Sequence, residues 1–310
     1  MKRKFIIDTD CGLDDAMAIM MAITQPNVEV LAITCVNGNT CVDNVIVNVF
    51  RTLQSCNQLQ IPVYKGTGAP IMGKYTFDKP CDFHGSDGFG DVCEPLKCSK
   101  IVEKEHAVHI LASLIDKYPG EITLVTLGPL TNIALALRLN PSFASNIKEM
   151  FVMGGNTEGR GNVTVSAEAN FYYDPEAAYI VLNEIQCPIT IAPWEMCLKH
   201  HMSWEDREKL LSPNTKAANL ISLIEHNVKK KSTEYEGYVL CDQFAMAAAI
   251  SEKSVKSKIG PYHVSCEPQG HYTRGQMIIF LSHESRQNVH IIEYMDMHEV
   301  KKLLQIAMNF

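Results

Sequence analysis

The chain has 310 residues, 46% of them hydrophobic and 20% charged, and its 28 basic and 35 acidic residues give a formal net charge of −7. This composition is typical of a globular protein with a large core and excludes disordered and fibrous chains. Since the sequence has no basic block that could neutralise a phosphate backbone, we expect no nucleic-acid partner.

The apolar run near the start of the sequence covers only residues 5–7 before Asp8. This run is much shorter than a signal-peptide core or a membrane span. The sequence has 11 cysteines, and Cys35, Cys56 and Cys187 lie in or beside apolar segments. An odd number of thiols in apolar surroundings favours a reducing compartment. We therefore expect a cytoplasmic protein with no membrane partner and no disulfides.

Short apolar runs that are typical of strands alternate along the chain with longer segments of helical periodicity. The predicted strands are 4–8, 28–35, 61–64, 121–127, 149–153 and 188–192. The predicted helices between them are 15–24, 42–56, 102–118, 130–139 and 175–185. This alternation predicts an α/β fold with an open, Rossmann-like, mostly parallel sheet flanked by helices.

Beyond residue 192 the alternation ends, but no linker rich in Pro, Gly or Ser separates two halves of the chain. The elements predicted there are helices at 204–211, 216–226 and 243–250, strands at 277–280 and 289–293, and a terminal helix from Met297. No internal repeat is visible in the sequence. We therefore expect one domain that covers residues 1–310.

Two stretches of the sequence have no clear periodicity. Residues 72–100 are rich in Gly, Asp, Pro, Cys and Lys, and a loop of this length within a compact domain is usually functional. Residues 229–238 begin with three lysines and include Tyr235 and Tyr238. This second stretch is either a solvated helix end or a mobile lid.

Four carboxylates lie within eight residues where the first predicted strand ends. They are Asp8, Asp10, Asp14 and Asp15, and no Lys or Arg lies close in sequence after Lys4. Such carboxylates repel one another unless a cation lies among them, and ligands bind at the carboxyl ends of parallel strands. Oxygen ligands without His or Cys select calcium or magnesium, and a crowded site that also admits ligand hydroxyls favours calcium.

The same segment permits other interpretations. Acidic residues also cap helices, and this explanation would suffice for Asp14 or Asp15 alone. An EF-hand loop starting at Asp8 is excluded, because Gly12 and Ile19 stand where an acidic or amide residue and a Glu are needed. The aspartyl-phosphatase pattern is excluded as well, because it needs Thr or Val at position 12.

Residues 8–15 resemble the Asp-x-Asp-x-Gly-x-Asp-Asp signature of calcium-dependent nucleoside hydrolases of the inosine–uridine-preferring group. The further blocks that match are 37–39 (Asn-Gly-Asn), 84–88 (His-Gly-Ser-Asp-Gly), 127–132 (Leu-Gly-Pro-Leu-Thr-Asn), 153–155 (Met-Gly-Gly), 161–164 (Gly-Asn-Val-Thr) and 168–177. The likeness covers nearly the whole chain, and this order of blocks is highly specific. It implies the nucleoside hydrolase fold and an N-ribosyl hydrolase of purine or pyrimidine salvage that cleaves ribonucleosides to ribose and base, as a homodimer or homotetramer.

The resemblance also implies a calcium site and a ribose site. The implied calcium ligands are the side chains of Asp10, Asp15 and Asp242 and the main-chain carbonyl of Leu127. The groups implied for the sugar are Asp14 and Asn170 at its 2′- and 3′-hydroxyls, Asn162 and Glu168 at the 5′-hydroxyl, and Asn39 and Met153 along the ribose pocket. For Asp8 we expect a structural role.

Cleavage of an N-ribosidic bond develops positive charge on the sugar, which carboxylate and amide oxygens stabilise. Calcium lowers the pKa of its bound water only modestly, so Asp10 is expected to act as the general base. His84, in a glycine-rich loop at the family's own position, is expected near the active site. A zinc site of His84 with Cys81, Cys93 and Cys98 is the competing idea, but its spacing matches no zinc pattern.

The sequence departs from the family pattern directly before Asp242, where well-known members carry a His that helps protonate the departing base and this chain has Cys241. A thiol is a weak donor, so Cys241 is either a catalytic residue of a cysteine-containing subgroup or a small buried wall residue. Other candidates near the base are His226, Tyr235 and Tyr238, with Trp194 as a stacking surface. The departure leaves a second hypothesis open, a calcium-dependent nucleoside-binding or sensing protein with little turnover.

Overall fold

The computed structural model describes residues 2–73, 83–92, 102–232, 235–281 and 287–310. The strands within these residues are β1 (Arg3–Thr9), β2 (Val28–Cys35), β3 (Val63–Lys65), β4 (Ile122–Thr126), β5 (Glu149–Met153), β6 (Ile189–Ala192), β7 (Val255–Cys266), β8 (Met277–Phe280) and β9 (Val289–Met295). The helices within them are α1 (Leu13–Ile23), α2 (Val42–Ser55), α3 (Ala107–Lys117), α4 (Thr131–Leu139), α5 (Phe143–Asn146), α6 (Ala169–Tyr173), α7 (Pro175–Glu184), α8 (Trp194–Lys199), α9 (Trp204–Leu210), α10 (Lys216–Ile224), α11 (Val228–Lys231), α12 (Asp242–Ile250) and α13 (Met297–Met308), and a 3₁₀ turn covers Glu252–Ser254.

The described strands form one sheet in the order β3-β2-β1-β4-β5-β6-β9-β7-β8. Neighbours from β3 to β9 in this order run parallel, and β7 runs antiparallel to both β9 and β8. The open, Rossmann-like, mostly parallel sheet predicted from the sequence is therefore confirmed. The strand order reverses at β1, between β2 and β4, and ligands bind at the carboxyl ends of strands at such a switch point.

Helices cover both faces of the sheet, each over its own apolar core. One core includes residues of α1, α2, α10, α12 and α13, and the other includes residues of α3, α4 and α7. Helix α12 is buried along its whole length, because alanines fill four of its nine positions and a helix that is apolar on all sides suits a core. Its first residue is Asp242, so the burial of α12 fixes where that carboxylate lies.

The predicted bounds are correct for the strands at 28–35, 149–153 and 277–280, and the other elements predicted from the sequence agree within two residues, with one exception. The helix predicted at 102–118 starts only at Ala107. The N–H of Glu103 donates to the carbonyl of Val63 at 2.9 Å, so the chain is still extended beside β3 there. His106 then caps the helix, with its side chain accepting from the N–H of Val108.

Strand β7 is the largest element that the sequence pattern does not reveal. Gly260 and Pro261 interrupt it, and Pro within a run argues against a strand. In the structure the pairing of β7 with β9 is irregular between Ile259 and Tyr262, which accommodates this dipeptide. The short helices α5, α6, α8 and α11 are also missing from the sequence prediction.

Several expectations concern the chain as a whole. No helix among the described residues is long and apolar enough to cross a bilayer. The cysteines that occur as free thiols in the described ranges include Cys11, Cys35, Cys41, Cys56, Cys197, Cys241 and Cys266. Of the loop at 72–100, only 72–73 and 83–92 are described, so Cys81, Cys93 and Cys98 of the zinc alternative lie outside the described residues.

Candidate active site

A cavity of about 430 Å³ opens at the carboxyl edge of the sheet, beside the switch point at β1. This volume suits a small organic ligand. Four strands contribute cavity residues at or just beyond their carboxyl ends, namely Asn39 after β2, Leu127 after β4, Met153 at the end of β5 and Trp194 after β6. The other predicted site residues along the cavity are Asp14, His84, Asn162, Glu168, Asn170, Cys241 and Asp242.

Carboxylates gather at the floor of the cavity. One oxygen each of Asp14, Asp15 and Asp242 lies within 4.8 Å of the others, and Asp10 is fully buried beneath them. Burial, followed by the charge of Asp14, raises the pKa of Asp15 to about 7. Burial and the charges of Asp14, Asp15 and Asp10 hold the pKa of Asp242 well above its usual range. A cluster of this kind retains protons unless a cation replaces them.

The turn between β1 and α1 explains part of this arrangement. Asp15 caps α1, because its Oδ2 accepts from the N–H of Gly12 at 2.7 Å, and its Oδ1 accepts from the hydroxyl of Thr9. Capping does not account for Asp10 or Asp14, whose Oδ1 atoms are buried without a hydrogen-bond partner among the described residues. Buried carboxylate oxygens without donors are costly, and cation ligation is the chemistry that would offset this cost.

Two glycines leave the space that Asp10 occupies. Its Oδ2 accepts from the N–H of Asn39 at 2.8 Å. A Cβ added at Gly38 would overlap the Asp10 carboxylate, and one added at Gly128 would lie 2.9 Å from its Cγ. The backbone can approach Asp10 this closely only because both positions lack a side chain.

Asp8 lies behind the cavity and not along it. Its Oδ1 accepts from the hydroxyl of Thr34 and from Nδ2 of Asn132, the latter at 2.8 Å. Nδ2 of Asn132 also donates to the carbonyl of Cys35 at 3.0 Å. Burial raises the pKa of Asp8 to about 7. Asp8 thus ties β1 to β2 and to the first turn of α4, as a structural residue would.

The side of the cavity predicted to bind sugar contains two amides and a carboxylate with fixed partners. Nδ2 of Asn170 donates to the carbonyls of Leu127 at 2.8 Å and Met153 at 3.1 Å, which leaves its Oδ1 for a ligand. Glu168 accepts from the N–H groups of Gly155, Asn170 and Phe171, and burial raises its pKa to about 7. The Oδ1 of Asn162 accepts from the first N–H of α6 at 2.9 Å.

His84 reaches the cavity from the described part of the loop at 72–100. Its Nδ1 accepts from the N–H of Leu13 at 3.2 Å, so a neutral ring carries its hydrogen on Nε2. Burial lowers the pKa of His84 against the opposing charge of Asp14, whose Oδ1 lies 3.9 Å from Nδ1. The ring is therefore a neutral hydrogen-bond donor at physiological pH.

The wall that leads to α12 contains two of the groups suggested for activation of the base. A hydrogen bond with the Cys197 thiol, followed by burial, raises the pKa of Cys241 well above its usual range, so its thiol is neutral. The hydroxyl of Tyr238 donates to Glu225 at 2.6 Å, and Glu225 also pairs with Arg207. The hydrogen of the Tyr238 hydroxyl is thus already donated to Glu225, which disfavours Tyr238 as the group that activates the base.

The stretch at 229–238 is held at several points. Lys231 donates from Nζ to the carbonyl of Phe83 at 3.3 Å, and Tyr238 exchanges two backbone hydrogen bonds of 2.8 Å with Met202. His226 is exposed and lies outside the cavity lining. The described part of this stretch contributes Lys231, Ser232, Tyr235 and Tyr238 to the wall of the cavity, and His226 does not contribute to it.

Aromatic side chains form the remaining wall. Trp194 and Tyr235 pack edge to face with ring centroids 6.5 Å apart. Cavity residues that the sequence analysis did not identify are Phe83, Tyr173, Val163, Lys231, Ser232 and Val239. For Tyr173 a signal existed, since it lies within the matching block at 168–177.

Comparisons with known proteins agree with this geometry. The family model described as "Inosine-uridine preferring nucleoside hydrolase" matches residues 5–302. The chain is 43% identical over 179 residues to "Probable uridine nucleosidase 1" of Oryza sativa subsp. japonica, which is 57% of this chain and 54% of that protein. It is 39% identical over 220 residues to "Uridine nucleosidase 1" of Arabidopsis thaliana, which is 71% of this chain and 64% of that protein.

The two alignments thus cover between about half and two thirds of these relatives. A solved structure described as "Inosine-Guanosine Nucleoside Hydrolase (IG-NH)" matches with a TM-score of 0.92 and 33% identity, over 100% of this chain and 99% of that one. The resemblance seen in the sequence motifs is therefore confirmed. The chain belongs to the inosine–uridine-preferring nucleoside hydrolase family.

Proposed function

We propose that this protein hydrolyses the N-glycosidic bond of ribonucleosides to give ribose and the free base. The observation that carries the proposal is the carboxylate cluster of Asp14, Asp15 and Asp242, with the buried Asp10 near it, at the floor of a cavity with an aromatic wall. Carboxylates stabilise the positive charge that develops on the sugar, and aromatic rings suit a planar base. The names of the relatives, nucleosidases and a nucleoside hydrolase, support the same reaction here.

The residues present fit a calcium ion as cofactor. Asp10, Asp15 and Asp242 would hold it with carboxylates and Leu127 with its main-chain carbonyl, and such oxygen donors are those that calcium prefers. The buried Oδ1 of Asp10, without a hydrogen-bond partner among the described residues, supports this assignment. When bound, calcium would offset the repulsion among the carboxylates and hold the 2′- and 3′-hydroxyls of the sugar.

Asp10 is the proposed general base. In the calcium-free protein, burial and the charge of Asp15 hold its pKa well above the usual range of a carboxyl group. Its Oδ2 accepts from the N–H of Asn39, which fixes the orientation of the carboxylate. The oxygen of the attacking water bonds to C1′, its proton passes to Asp10, and the electron pair of the broken C1′–N bond leaves with the base.

Substitution of Gly38→Ala should lower kcat about 100-fold, because the added Cβ would displace the Asp10 carboxylate and a shift of about 1 Å can cost this much. Gly68→Ala is the matched control, since its added Cβ would make only an ordinary contact with Val42 at 3.6 Å. Ribose release by both variants is measured beside their thermal unfolding. Full activity of folded Gly38→Ala would contradict the placement of Asp10.

Fixed hydrogen bonds determine which atoms are left for the sugar. Asn170 would accept from a ring hydroxyl through Oδ1, because both hydrogens of its amide are already donated. Asp14 would accept from the neighbouring hydroxyl with its otherwise unbonded Oδ1. Asn162 would donate from Nδ2 to the 5′-oxygen, and Glu168 would accept the hydrogen of that hydroxyl. We propose that Asn39 and Met153 contact the ribose from the sides of the cavity.

His84 is the group that we propose to assist departure of the base. Its Nε2–H can donate a hydrogen bond, since Nδ1 is occupied by the N–H of Leu13. Cys241 also lines the cavity, but its neutral thiol is a weaker donor and is engaged with Cys197. The relatives are named for uridine and for inosine and guanosine, and we propose that the aromatic wall of Trp194 and Tyr235 would suit a base of either class.

A reducing-sugar assay over ribonucleosides and 2′-deoxyribonucleosides, with and without chelator, tests the proposed function. Ribonucleosides should release ribose, and their 2′-deoxy analogues should be cleaved at least about 100-fold more slowly, because buried polar groups would lose a partner. Chelator should abolish the activity, and added calcium should restore it. Release of deoxyribose at the same rate would contradict the diol site.

The alternative of a nucleoside-binding or sensing protein shares the same cavity. It predicts that inosine or uridine binds in calorimetry while no ribose appears over hours.

We also infer a cytoplasmic enzyme that forms a homodimer or homotetramer. The free thiols in the described ranges support a reducing compartment, and exposed apolar side chains at Val165, Tyr272 and Leu281 offer surface for contact between subunits.

A further inference from the structure

A buried carboxylate outside the cavity holds the loop that carries Asn162. Glu195, in α8, accepts through Oε2 from the N–H of Thr157 at 2.8 Å and through Oε1 from the N–H of Glu158 at 2.7 Å. Longer bonds come from the hydroxyl of Thr157 at 3.3 Å and the N–H of Arg160 at 3.4 Å. One side chain from the next strand-to-helix connection thus accepts four hydrogen bonds from three residues of the loop, Thr157, Glu158 and Arg160.

The burial of Glu195 needs these donors. Glu195 is only 3% exposed, and burying a carboxylate is costly unless hydrogen-bond donors surround it. Hydrogen bonds from N–H groups to an ionised oxygen are among the strong ones. Glu195 is not among the residues along the cavity or in the carboxylate cluster. The loop that Glu195 holds is a route by which it can act on a ligand.

Arg160 connects the hydrogen bonds of Glu195 to Asn162, which lines the cavity. Its N–H donates to Glu195, and its carbonyl accepts from Nδ2 of the fully buried Asn156 at 2.9 Å. The backbone is thus held on both sides two residues before Asn162. Since the Oδ1 of Asn162 accepts from the N–H of Ala169, its Nδ2 is the group that can face a ligand.

We propose that Glu195 is a positioning residue that fixes Asn162 for recognition of the 5′-hydroxyl of the nucleoside. This inference rests on the proposed function. Trp194, directly before Glu195, lines the cavity and packs against Tyr235. Two adjacent residues therefore support both parts of the proposed site: Trp194 forms the aromatic wall for the base, and Glu195 holds the loop that carries Asn162 toward the 5′-hydroxyl.

The test compares uridine with 5′-deoxyuridine, or inosine with 5′-deoxyinosine if the protein cleaves inosine faster. Glu195→Gln keeps the size of the side chain but turns an amide NH2 toward a backbone N–H. It should lower kcat/KM for the 5′-hydroxyl substrate about 10-fold, mainly through KM, and change kcat/KM for the 5′-deoxy substrate less than about 2-fold. Glu205→Gln is the matched control, because Glu205 pairs with Lys209 on the exposed face of α9 and the change should leave both substrates unaffected.

Two further variants separate positioning from stability. Glu195→Asp keeps a carboxylate and should recover part of the selectivity for the 5′-hydroxyl. In an Asn162→Ala background, Glu195→Gln should lower kcat/KM for the 5′-hydroxyl substrate little further, because the side chain that Glu195 positions is gone. Equal losses for both substrates in Glu195→Gln would overturn the inference. A wild-type protein that cleaves neither substrate would overturn the proposed function, and the inference with it.

Discussion

Substitution of Asp10→Asn is expected to lower kcat about 1000-fold and to leave the protein folded. General base catalysis contributes about 10²–10⁴-fold to a rate, and an amide cannot take the proton from the attacking water. Folding should survive, because Asn can keep the oxygen that accepts from the N–H of Asn39. The rate is measured as ribose released at saturating nucleoside and calcium.

The same substitution should stabilise the calcium-free protein. Burial holds the pKa of Asp10 well above its usual range in the folded state, so the folded protein binds this proton more tightly than the unfolded chain. The resulting stability is fully present below about pH 4 and is lost as the pH rises through the folded pKa. Asn has no such proton to lose. In chelator near neutral pH, the variant should therefore unfold at a higher temperature than the wild type.

Asp43→Asn is the matched control for both measurements. Asp43 is exposed and pairs with Lys65 at the surface, where an ion pair contributes little. The control should change neither kcat nor the midpoint of thermal unfolding noticeably. Retention of most turnover by Asp10→Asn would remove Asp10 from the role of base. A lower unfolding midpoint of this variant in chelator would contradict the claim that the ionised Asp10 carboxylate destabilises the calcium-free protein.

Local sequence was sufficient to locate one half of the candidate site. An apolar strand followed by Asp10, Gly12, Asp14 and Asp15 places carboxylates at the carboxyl end of β1, and the strand order then puts this end at the switch point. The periodicity of apolar residues also predicted the bounds of most strands and helices to within two residues. These features depend on periodicity and on chain neighbours, which a single sequence shows directly.

The other half of the site depends on packing between distant segments. Asp242 reaches the floor because α12 is buried as a whole, and only the family resemblance could identify it beforehand. Glu195 has no local signal, since one acidic residue after Pro193 looks like an ordinary helix start. The hydroxyl of Tyr238 could be disfavoured as a donor only once its bond to Glu225 was visible.

Substitution of Asp242→Asn is expected to weaken calcium binding at least about 100-fold at pH 8. The change removes one charged ligand from a site in which ligand charge sets affinity. Isothermal titration calorimetry of calcium into the chelator-treated protein measures this loss, and Asp116→Asn, at an exposed site bonded to Ser142, should bind like the wild type.

The pH dependence of binding shows whether the loss arises at a proton-linked site. Burial raises the pKa of Asp15 to about 7 and holds that of Asp242 well above its usual range, so calcium must displace protons that these carboxyls retain. Wild-type affinity should therefore fall about 10-fold or more from pH 8 to pH 6, with protons released on binding. Asp242→Asn should release about one proton fewer, measured by titration in two buffers of different ionisation enthalpy. A wild type whose affinity is constant over this range would mean that the carboxyls are already ionised, and an unchanged affinity in Asp242→Asn would place the cation elsewhere.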